Sequence, residues 1–335
     1  MEDDIKYKIG LKSENKNYKN NFISSTLHCL ININILSNFI IKLTNDESQK
    51  NPLLAKYKEL LNNLEDFKKK NNKEPCSIGV FEAFLFSKKE FKEKDKYNPQ
   101  YLLNYLITEF NFVLSSEFKN TLISDNFYTT IETIKKCQKC DNFIEDKKKD
   151  YAFLYFDLHQ NILLNNNKEI KYNIYDCLKS YVKTEKNENN INCKYCGKDI
   201  TPTTKILFQK LPKHLIIYVN YGKDINFKLN DNISIIFDKE LDFSKIEKVE
   251  ENYKKRKYYL SSLISIKEIM REKEYFYTFC ISKEKNKPKY KYFCYNADDV
   301  HEVNSIENNV DNIKINFSDK KERFPSILIY TNLVE

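Results

Sequence analysis

Two Cys-x-x-Cys pairs, CQKC at 137–140 and CKYC at 193–196, constrain the fold of this chain more than any other feature. This spacing lets one short turn present two thiolates to a tetrahedral ion, and two such turns complete four sulfur ligands. Four thiolates leave no coordination position for water, so such a site is structural rather than catalytic. We therefore predict a structural Zn²⁺ site, with coincidental pairing of cysteines as the alternative. Its ligands are Cys137, Cys140, Cys193 and Cys196.

The two pairs are far apart in the sequence. More than 50 residues separate them, which is longer than the spacing in a compact zinc ribbon. A strand predicted at 151–158 and a helix predicted at 173–183 must therefore lie between the two cysteine hairpins. The prediction requires that the two hairpins meet in space.

The remaining composition favours a protein that folds inside the cell. Nine cysteines are present, and in a reducing compartment a metal explains the paired ones better than disulfides do. The chain has no apolar run of 18 residues, and its N-terminus, MEDDIKYKIG, is acidic rather than signal-like. We expect an intracellular protein, cytoplasmic or nuclear, without a membrane partner.

The charge pattern indicates a mixed, solvated surface. The net charge of +8 comes from 56 basic and 48 acidic residues, which alternate in stretches such as FKEKDK and KEKNKPK. A nucleic-acid-binding protein more often concentrates its positive charge in one patch or stripe. Direct nucleic-acid binding is therefore the weakest of the functional alternatives.

Apolar periodicity divides the chain into a helical front and a β-rich remainder. Helices are predicted over 22–43, 53–69 and 99–115, the last with Asn98 as its cap and Pro99 at its first position. Strand-like segments rich in β-branched and aromatic residues follow. They lie at 151–158, 204–211, 214–221, 233–239, 258–266, 274–281, 290–295 and 326–332. We predict an α+β protein with mostly antiparallel strands and surface loops at 184–192 and 301–313.

In this order, the motifs resemble the catalytic domain of the ubiquitin-specific proteases from Gly10 to about Tyr330. The family opens with Gly-Leu-x-Asn-x-Gly-Asn-Thr-Cys-Tyr-x-Asn-Ser-x-Leu-Gln-x-Leu, and here GL (10–11) begins this box and FISSTLHCL (22–30) ends it. The two cysteine pairs are similar to the family's zinc knuckles. The other matching segments are NIYDCLKSYVKTE, TKILFQKLPKHLIIYVN, EYFYTFCI, YKYFCYNADDV and PSILIYTN.

The resemblance implies a fold and a division of the chain. It implies one domain over 1–335 with a papain-like cysteine protease fold. Residues 1–124 would form a helical thumb, and 125–335 an antiparallel β palm with zinc-binding β fingers. Family members cleave bonds after the ubiquitin C-terminus with a Cys nucleophile, a His base and an Asp or Asn that orients the His.

The catalytic positions carried over from the family lack the required chemistry. The Cys position falls on Asn21 when FISSTLHCL is the anchor, or on Tyr18 when GL is the anchor. The His position falls on Tyr275 and the third position on Asn296. An amide is not a useful nucleophile, and a tyrosine with a pKa of about 10 is not a base poised near neutral pH.

A second family box, Gln-Asp-x-x-Glu-Phe-Leu, supplies carboxylates for the arginine-rich tail of ubiquitin. Tyr97, Asn98 and Tyr101 stand at its Gln, Asp and Glu positions, so both acids are missing. Charge-assisted bonds between arginine and carboxylate are strong, and this chain has no carboxylate in the box to form them. The resemblance therefore implies weakened binding of the ubiquitin tail.

We predict a catalytically dead pseudo-deubiquitinase that serves as a ubiquitin-binding or scaffold subunit of a larger complex, with ubiquitin or a ubiquitin-like protein as a weak partner. The main alternative is an active cysteine-type deubiquitinase with a non-standard triad. The residues open to such a rebuilt site are Cys29, Cys280, Cys294, His28 and His301.

Overall fold

The computed structural model describes residues 6–14, 21–72, 74–92, 97–157, 170–183, 191–197, 199–220, 233–269, 273–283, 290–296, 299–303 and 324–332. The chain divides into two compact units. The first contains Met1–Ile123 and Leu260–Ile329, and the second contains Ser124–Tyr259 and Tyr330–Glu335. Among the described helices, none is both long and apolar enough to cross a bilayer alone. The pair Asn21–Ile31 and Asn34–Lys42 reaches that length and apolarity only together, with an 87° bend.

Most of the described helices lie in the N-terminal third of the chain. They are α1 (Asn21–Ile31), α2 (Asn34–Lys42), α3 (Asn45–Gln49), α4 (Pro52–Lys69), α5 (Gly79–Ser87), α6 (Pro99–Phe118), α7 (Leu122–Phe127), α8 (Ile174–Tyr181) and α9 (Glu251–Lys254). The start of α4 is set by Pro52 at its first turn and by the Asn51 side chain, which accepts from two backbone N–H groups. The predicted helices over 53–69 and 99–115 are confirmed as α4 and α6.

The prediction of one helix over 22–43 is wrong, because the chain breaks at Asn32 and Ile33. The Asn32 amide donates to the His28 carbonyl at 2.9 Å and so replaces a backbone N–H of a further helical turn. The same side chain accepts from the Tyr7 N–H at 3.0 Å. Asn32 thus ends α1 and ties it to the N-terminal segment of the same unit.

The described strands range in length from 2 residues in β1 to 13 residues in β13. They are β1 (Leu11–Lys12), β2 (Cys76–Ser77), β3 (Thr129–Lys136), β4 (Phe143–Tyr151), β5 (Leu154–Asp157), β6 (Ile170–Asn173), β7 (Ile191–Asn192), β8 (Asp199–Ile200), β9 (Thr203–Lys210), β10 (His214–Asn220), β11 (Ile233–Ile236), β12 (Glu240–Asp242), β13 (Lys257–Ile269), β14 (Lys273–Lys283), β15 (Tyr290–Asn296), β16 (Asp299–Val303) and β17 (Phe324–Asn332).

The sheet of the first unit follows the order β16-β15-β14-β13-β17, and β13 to β16 form an antiparallel meander. Helix α1 packs against β14 with all eleven of its residues buried. The predicted loop over 301–313 is wrong for 301–303, which belong to β16 and pair with β15. The rest of that predicted loop lies outside the described residues.

In the second unit, β3 lies between β4 and β9 in a three-stranded antiparallel sheet. Strand β5 pairs in parallel with β10, and β6 with β11. The predicted loop over 184–192 is wrong at 191–192, which form β7, and its other residues lie outside the described ones. The predicted helix at 173–183 is confirmed as α8.

His214 begins β10 and gives the second unit a dependence on pH. Its ring is buried, stacks on Phe127 at 5.3 Å between centroids, and shares a 3.0 Å hydrogen bond with the Thr331 hydroxyl. Burial, and secondarily the Lys213 charge, lower the pKa of His214 to about 3 from an ordinary value of 6.5.

We expect the free energy of unfolding to fall as the pH drops through the range from 6.5 to 3. In this range the unfolded chain takes up a proton on His214 that the folded chain does not, so acid favours unfolding. The loss from this group is about 2 kcal/mol between pH 8 and pH 5. Urea unfolding at several pH values measures it, and the pH slope of His214→Gln should be flatter than that of the wild type. Equal slopes would contradict the assignment.

Candidate functional site

The start of helix α1 is fixed to strand β14 by buried hydrogen bonds. Asn21, which is 5% exposed, accepts from the Phe276 N–H through its Oδ1 at 2.7 Å. The Ser25 hydroxyl donates to the Phe276 carbonyl at 3.2 Å, and the Thr278 hydroxyl donates to the Ser25 carbonyl at 2.8 Å. The Asn21 and Ser25 side chains, at i and i+4 of the helix, thus both bond the backbone of Phe276, and the Thr278 side chain bonds the helix backbone in return.

This seam brings together two of the predicted catalytic positions. Asn21 bonds the backbone of the residue that directly follows Tyr275, whose own backbone pairs with Lys267 of β13. Asn296 ends β15, the strand beside β14, and pairs with Asp299 of β16. Tyr18, the other predicted Cys position, lies outside the described residues. Within the described chain, the helix start at this seam carries an amide and no thiol.

The nearest cysteine thiols belong to the core. Cys29 and Cys280 are both fully or almost fully buried. Burial raises the pKa of the Cys29 thiol well above its ordinary value and that of Cys280 to about 12, so both stay protonated. The Cys280 thiol donates to the His28 carbonyl at 3.6 Å, and the His28 ring packs on Tyr295 at 4.1 Å between centroids.

Cys294 and His301 are cross-strand partners on β15 and β16. Cys294 also lies opposite Phe279, whereas Tyr295 lies opposite Thr278. Because side chains alternate along a strand, the Cys294 thiol and the Thr278 side chain are on opposite faces of the sheet. Thr278 contacts α1, so the Cys294 thiol points away from the helix start.

The predicted ubiquitin-tail box forms the start of α6. Asn98 caps this helix, and its Oδ1 accepts from the Tyr101 N–H at 2.7 Å, which confirms the predicted cap. Tyr97 stacks on Phe22 with centroids 5.5 Å apart and an interplanar angle of 8°. Since Phe22 follows Asn21, this box lies beside the helix start, and none of its three positions offers a carboxylate.

The four paired cysteines meet in the second unit, with their sulfur atoms within 4.8 Å of one another. Cys137 and Cys196 are 3.8 Å apart between Sγ atoms, and Cys140 and Cys193 are 3.7 Å apart. Zn–S bonds of about 2.3 Å in a tetrahedron place sulfur atoms about 3.8 Å apart, so the cluster fits Zn²⁺. A disulfide, at about 2.05 Å, does not fit.

Backbone pairing explains how distant cysteines come together. Lys136, the residue before the first pair, lies opposite Thr203 of β9, and the second pair ends just before β8 and β9. A backbone hydrogen bond from residue i+4 to residue i closes the turn at each pair. The Asp141 N–H donates to the Cys137 carbonyl, and the Gly197 N–H donates to the Cys193 carbonyl. Gly197 has φ +66°, which favours glycine at the turn. The prediction that the two hairpins meet is confirmed.

Thiolate stabilisation is built into the first hairpin. The Lys139 N–H donates to the Cys137 sulfur at 3.4 Å, and the Asn142 amide donates to the Cys140 sulfur at 3.4 Å. Although desolvation acts in the opposite direction, hydrogen bonds from the Cys140 and Lys139 backbone and from neighbouring thiols lower the pKa of Cys137 to about 6. A thiolate at neutral pH is the form that binds metal.

Residues 14–330 match the family of ubiquitin carboxyl-terminal hydrolases. The chain belongs to this family. No curated protein sequence matches the chain. The ubiquitin-specific-protease resemblance and the predicted fold, with its helical thumb, antiparallel palm and β fingers, are confirmed.

Solved structures share the fold of this ubiquitin carboxyl-terminal hydrolase domain, and two of them contain the SAGA DUB module. One is the SAGA DUB module with mutant Ubp8, Sgf11, Sus1 and Sgf73 bound to monoubiquitin. It has a TM-score of 0.67 and 16% identity, over 99% of this chain and 70% of that one. The other is the yeast SAGA DUB module with an Sgf73 mutant. It has a TM-score of 0.62 and 17% identity, over 97% of this chain and 68% of that one.

Sequence reasoning missed the polar seam of this hydrolase domain. Ser25 and Thr278 are buried, and each bonds the backbone of the other element. The sequence signal for Ser25 is the run SST at 24–26 in a helix whose other residues, apart from Asn21 and His28, are apolar. A run of polar residues in a buried helix indicates hydrogen bonds, because buried polar groups are almost always paired.

Proposed function

We propose that this member of the ubiquitin carboxyl-terminal hydrolase family is catalytically inactive and serves as a ubiquitin-binding or scaffold subunit of a larger complex. The proposal rests chiefly on Asn21, whose buried amide stands at the start of α1 and bonds the strand that carries Tyr275. Catalysis by a thiol needs a thiolate beside a base. Asn21 supplies no thiolate, and Tyr275 supplies no base.

The other cysteines support the same proposal. Cys29 and Cys280 are buried with raised pKa values, and the Cys294 side chain is on the sheet face away from α1. A catalytic thiol requires a lowered pKa and access for the substrate. These properties argue against an active enzyme with a rebuilt Cys–His pair.

Binding partners are proposed from the comparisons and the missing acids. One solved structure of similar fold is bound to monoubiquitin, and it contains Sgf11, Sus1 and Sgf73. We propose by analogy that this chain binds ubiquitin weakly and joins a protein assembly inside the cell. The box at Tyr97, Asn98 and Tyr101 lacks the carboxylates that would hold a cationic tail, so the body of ubiquitin would supply the contacts.

The Zn²⁺ we propose at the four cysteines would shape the fingers and leave no open coordination position for chemistry.

We expect a ubiquitin probe with a C-terminal electrophile to leave the wild-type chain unlabelled, because no activated thiol lies at the helix start. Intact-mass spectrometry measures labelling, with an active family member as the positive control. A calorimetric titration with ubiquitin in the same buffer measures binding separately from chemistry. Covalent labelling at any cysteine other than the four of the cluster would contradict the proposal and favour an active enzyme.

A further inference from the structure

Strand β5 has an edge that no other described strand covers. Its described neighbour is β10, and Tyr155 of β5 lies opposite Tyr218 in parallel register. Tyr155 is 49% exposed, although it is a large aromatic residue at the centre of the strand. An exposed edge presents N–H and C=O groups on which a strand of another chain can pair.

The Tyr181 hydroxyl bonds both backbone groups of Tyr155 that face outward, and the Cys177 thiol of the same helix donates to the Tyr155 carbonyl at 3.8 Å. The Tyr181 hydroxyl accepts from the Tyr155 N–H at 2.5 Å and donates to the Tyr155 carbonyl at 3.2 Å. Successive residues of a strand direct their N–H and C=O groups to opposite sides, so these two groups are the ones an added strand would bond. The hydroxyl stands where that strand would lie.

The helix that carries Tyr181 is positioned for this contact. Asn173 caps α8 by accepting from the Tyr175 N–H at 2.9 Å. Near this cap, the Tyr175 hydroxyl accepts from the Asp242 N–H of β12 at 2.8 Å. Helix α8 therefore holds two tyrosine hydroxyls against the backbones of two strands. Burial raises the pKa of Tyr181, so its hydroxyl keeps the proton that it donates.

We propose that the Tyr181 hydroxyl protects the edge of β5 against pairing with β5 of a second copy of this chain. The sequence of β5, LYFD, contains no lysine or proline that would deter strand pairing. An antiparallel, two-fold pairing centred on Tyr155 would place two aromatic residues side by side, which stabilises strand pairs. It would also keep the two Asp157 residues at opposite ends, so no like charges meet. This inference does not depend on the proposed function.

The test is Tyr181→Phe, which removes only the hydroxyl. Because the variant keeps the ring and its contact with Tyr151, it should fold with the circular dichroism of the wild type. Analytical ultracentrifugation over a concentration series should show a monomeric wild type and a variant that dimerises at least about tenfold more tightly, a difference of about 1.4 kcal/mol.

Two further variants make the result specific. Tyr151→Phe removes a hydroxyl from a ring that contacts Tyr181 at 5.8 Å between centroids, and it should stay monomeric. Tyr155→Pro, added to Tyr181→Phe, removes the N–H that a second copy would bond and should restore the monomer. The proposal is overturned if Tyr181→Phe is monomeric or unfolded, or if its dimers persist when Tyr155→Pro is added. It is also overturned if the wild type dimerises as tightly as Tyr181→Phe.

Discussion

Cys193→Ser is expected to abolish stoichiometric zinc binding and to unfold both cysteine hairpins. Cys193 is fully buried, and its Sγ lies 3.7 Å from that of Cys140. Structural zinc sites contribute on the order of 10 kcal/mol of apparent binding free energy at neutral pH, which equals the total stability of many domains. The apolar contacts around the cluster are few, chiefly Ile144, Ile191 and Ile200, so they cannot replace the metal.

Metal analysis of the purified chain and hydrogen exchange in β3, β7 and β8 measure this effect. We expect one zinc per wild-type chain and none in Cys193→Ser, with loss of exchange protection from the two hairpins. Cys177→Ala is the matched control, because Cys177 is also buried in the second unit but lies outside the cluster. It should keep its zinc. If Cys193→Ser binds zinc and exchanges like the wild type, the cluster is not a metal site.

The strands that could be predicted from the sequence are those that are apolar on one or both faces. β10 and β14 carry runs of β-branched and aromatic residues, and they lie within one or two residues of the predicted bounds. The sequence does not predict β4, FIEDKKKDY, because its stability comes from pairing with β3 at an exposed edge and its lysines interrupt the apolar alternation. Lysine on an edge strand deters pairing with other chains, so the residues that suit an edge weaken the usual strand signal.

The metal ligands were predictable because their spacing is a local property, whereas their meeting depends on a distant pairing. Lys136 and Thr203 are far apart in sequence, and only the register of β3 with β9 brings the two hairpins together. The seam between α1 and β14 is harder still. Ser25 and Thr278 are 253 residues apart, and neither position alone predicts the other.

The resemblance left two possible positions for the family's nucleophile, and the structure describes one of them. Asn21 lies at the start of α1 and bonds the backbone beside Tyr275. A thiol at this place would gain from the positive end of the helix dipole, which lowers a cysteine pKa. Tyr18 lies outside the described residues, so a comparison of the two positions is informative.

The double variant Asn21→Cys with Tyr275→His should therefore react with a ubiquitin probe that carries a C-terminal electrophile, while each single variant should not. Nucleophile and base act as one unit, and a positioned base contributes about 10²–10⁴-fold. Labelling should be slow, because the acids that hold the ubiquitin tail are missing at Asn98 and Tyr101.

Intact-mass spectrometry over a time course measures the labelling, and Tyr18→Cys with Tyr275→His is the matched control. If that control is labelled and Asn21→Cys with Tyr275→His is not, Tyr18 is the position of the former nucleophile. If neither double variant reacts, although both fold and bind ubiquitin, the assignment of Tyr275 as the former base is wrong.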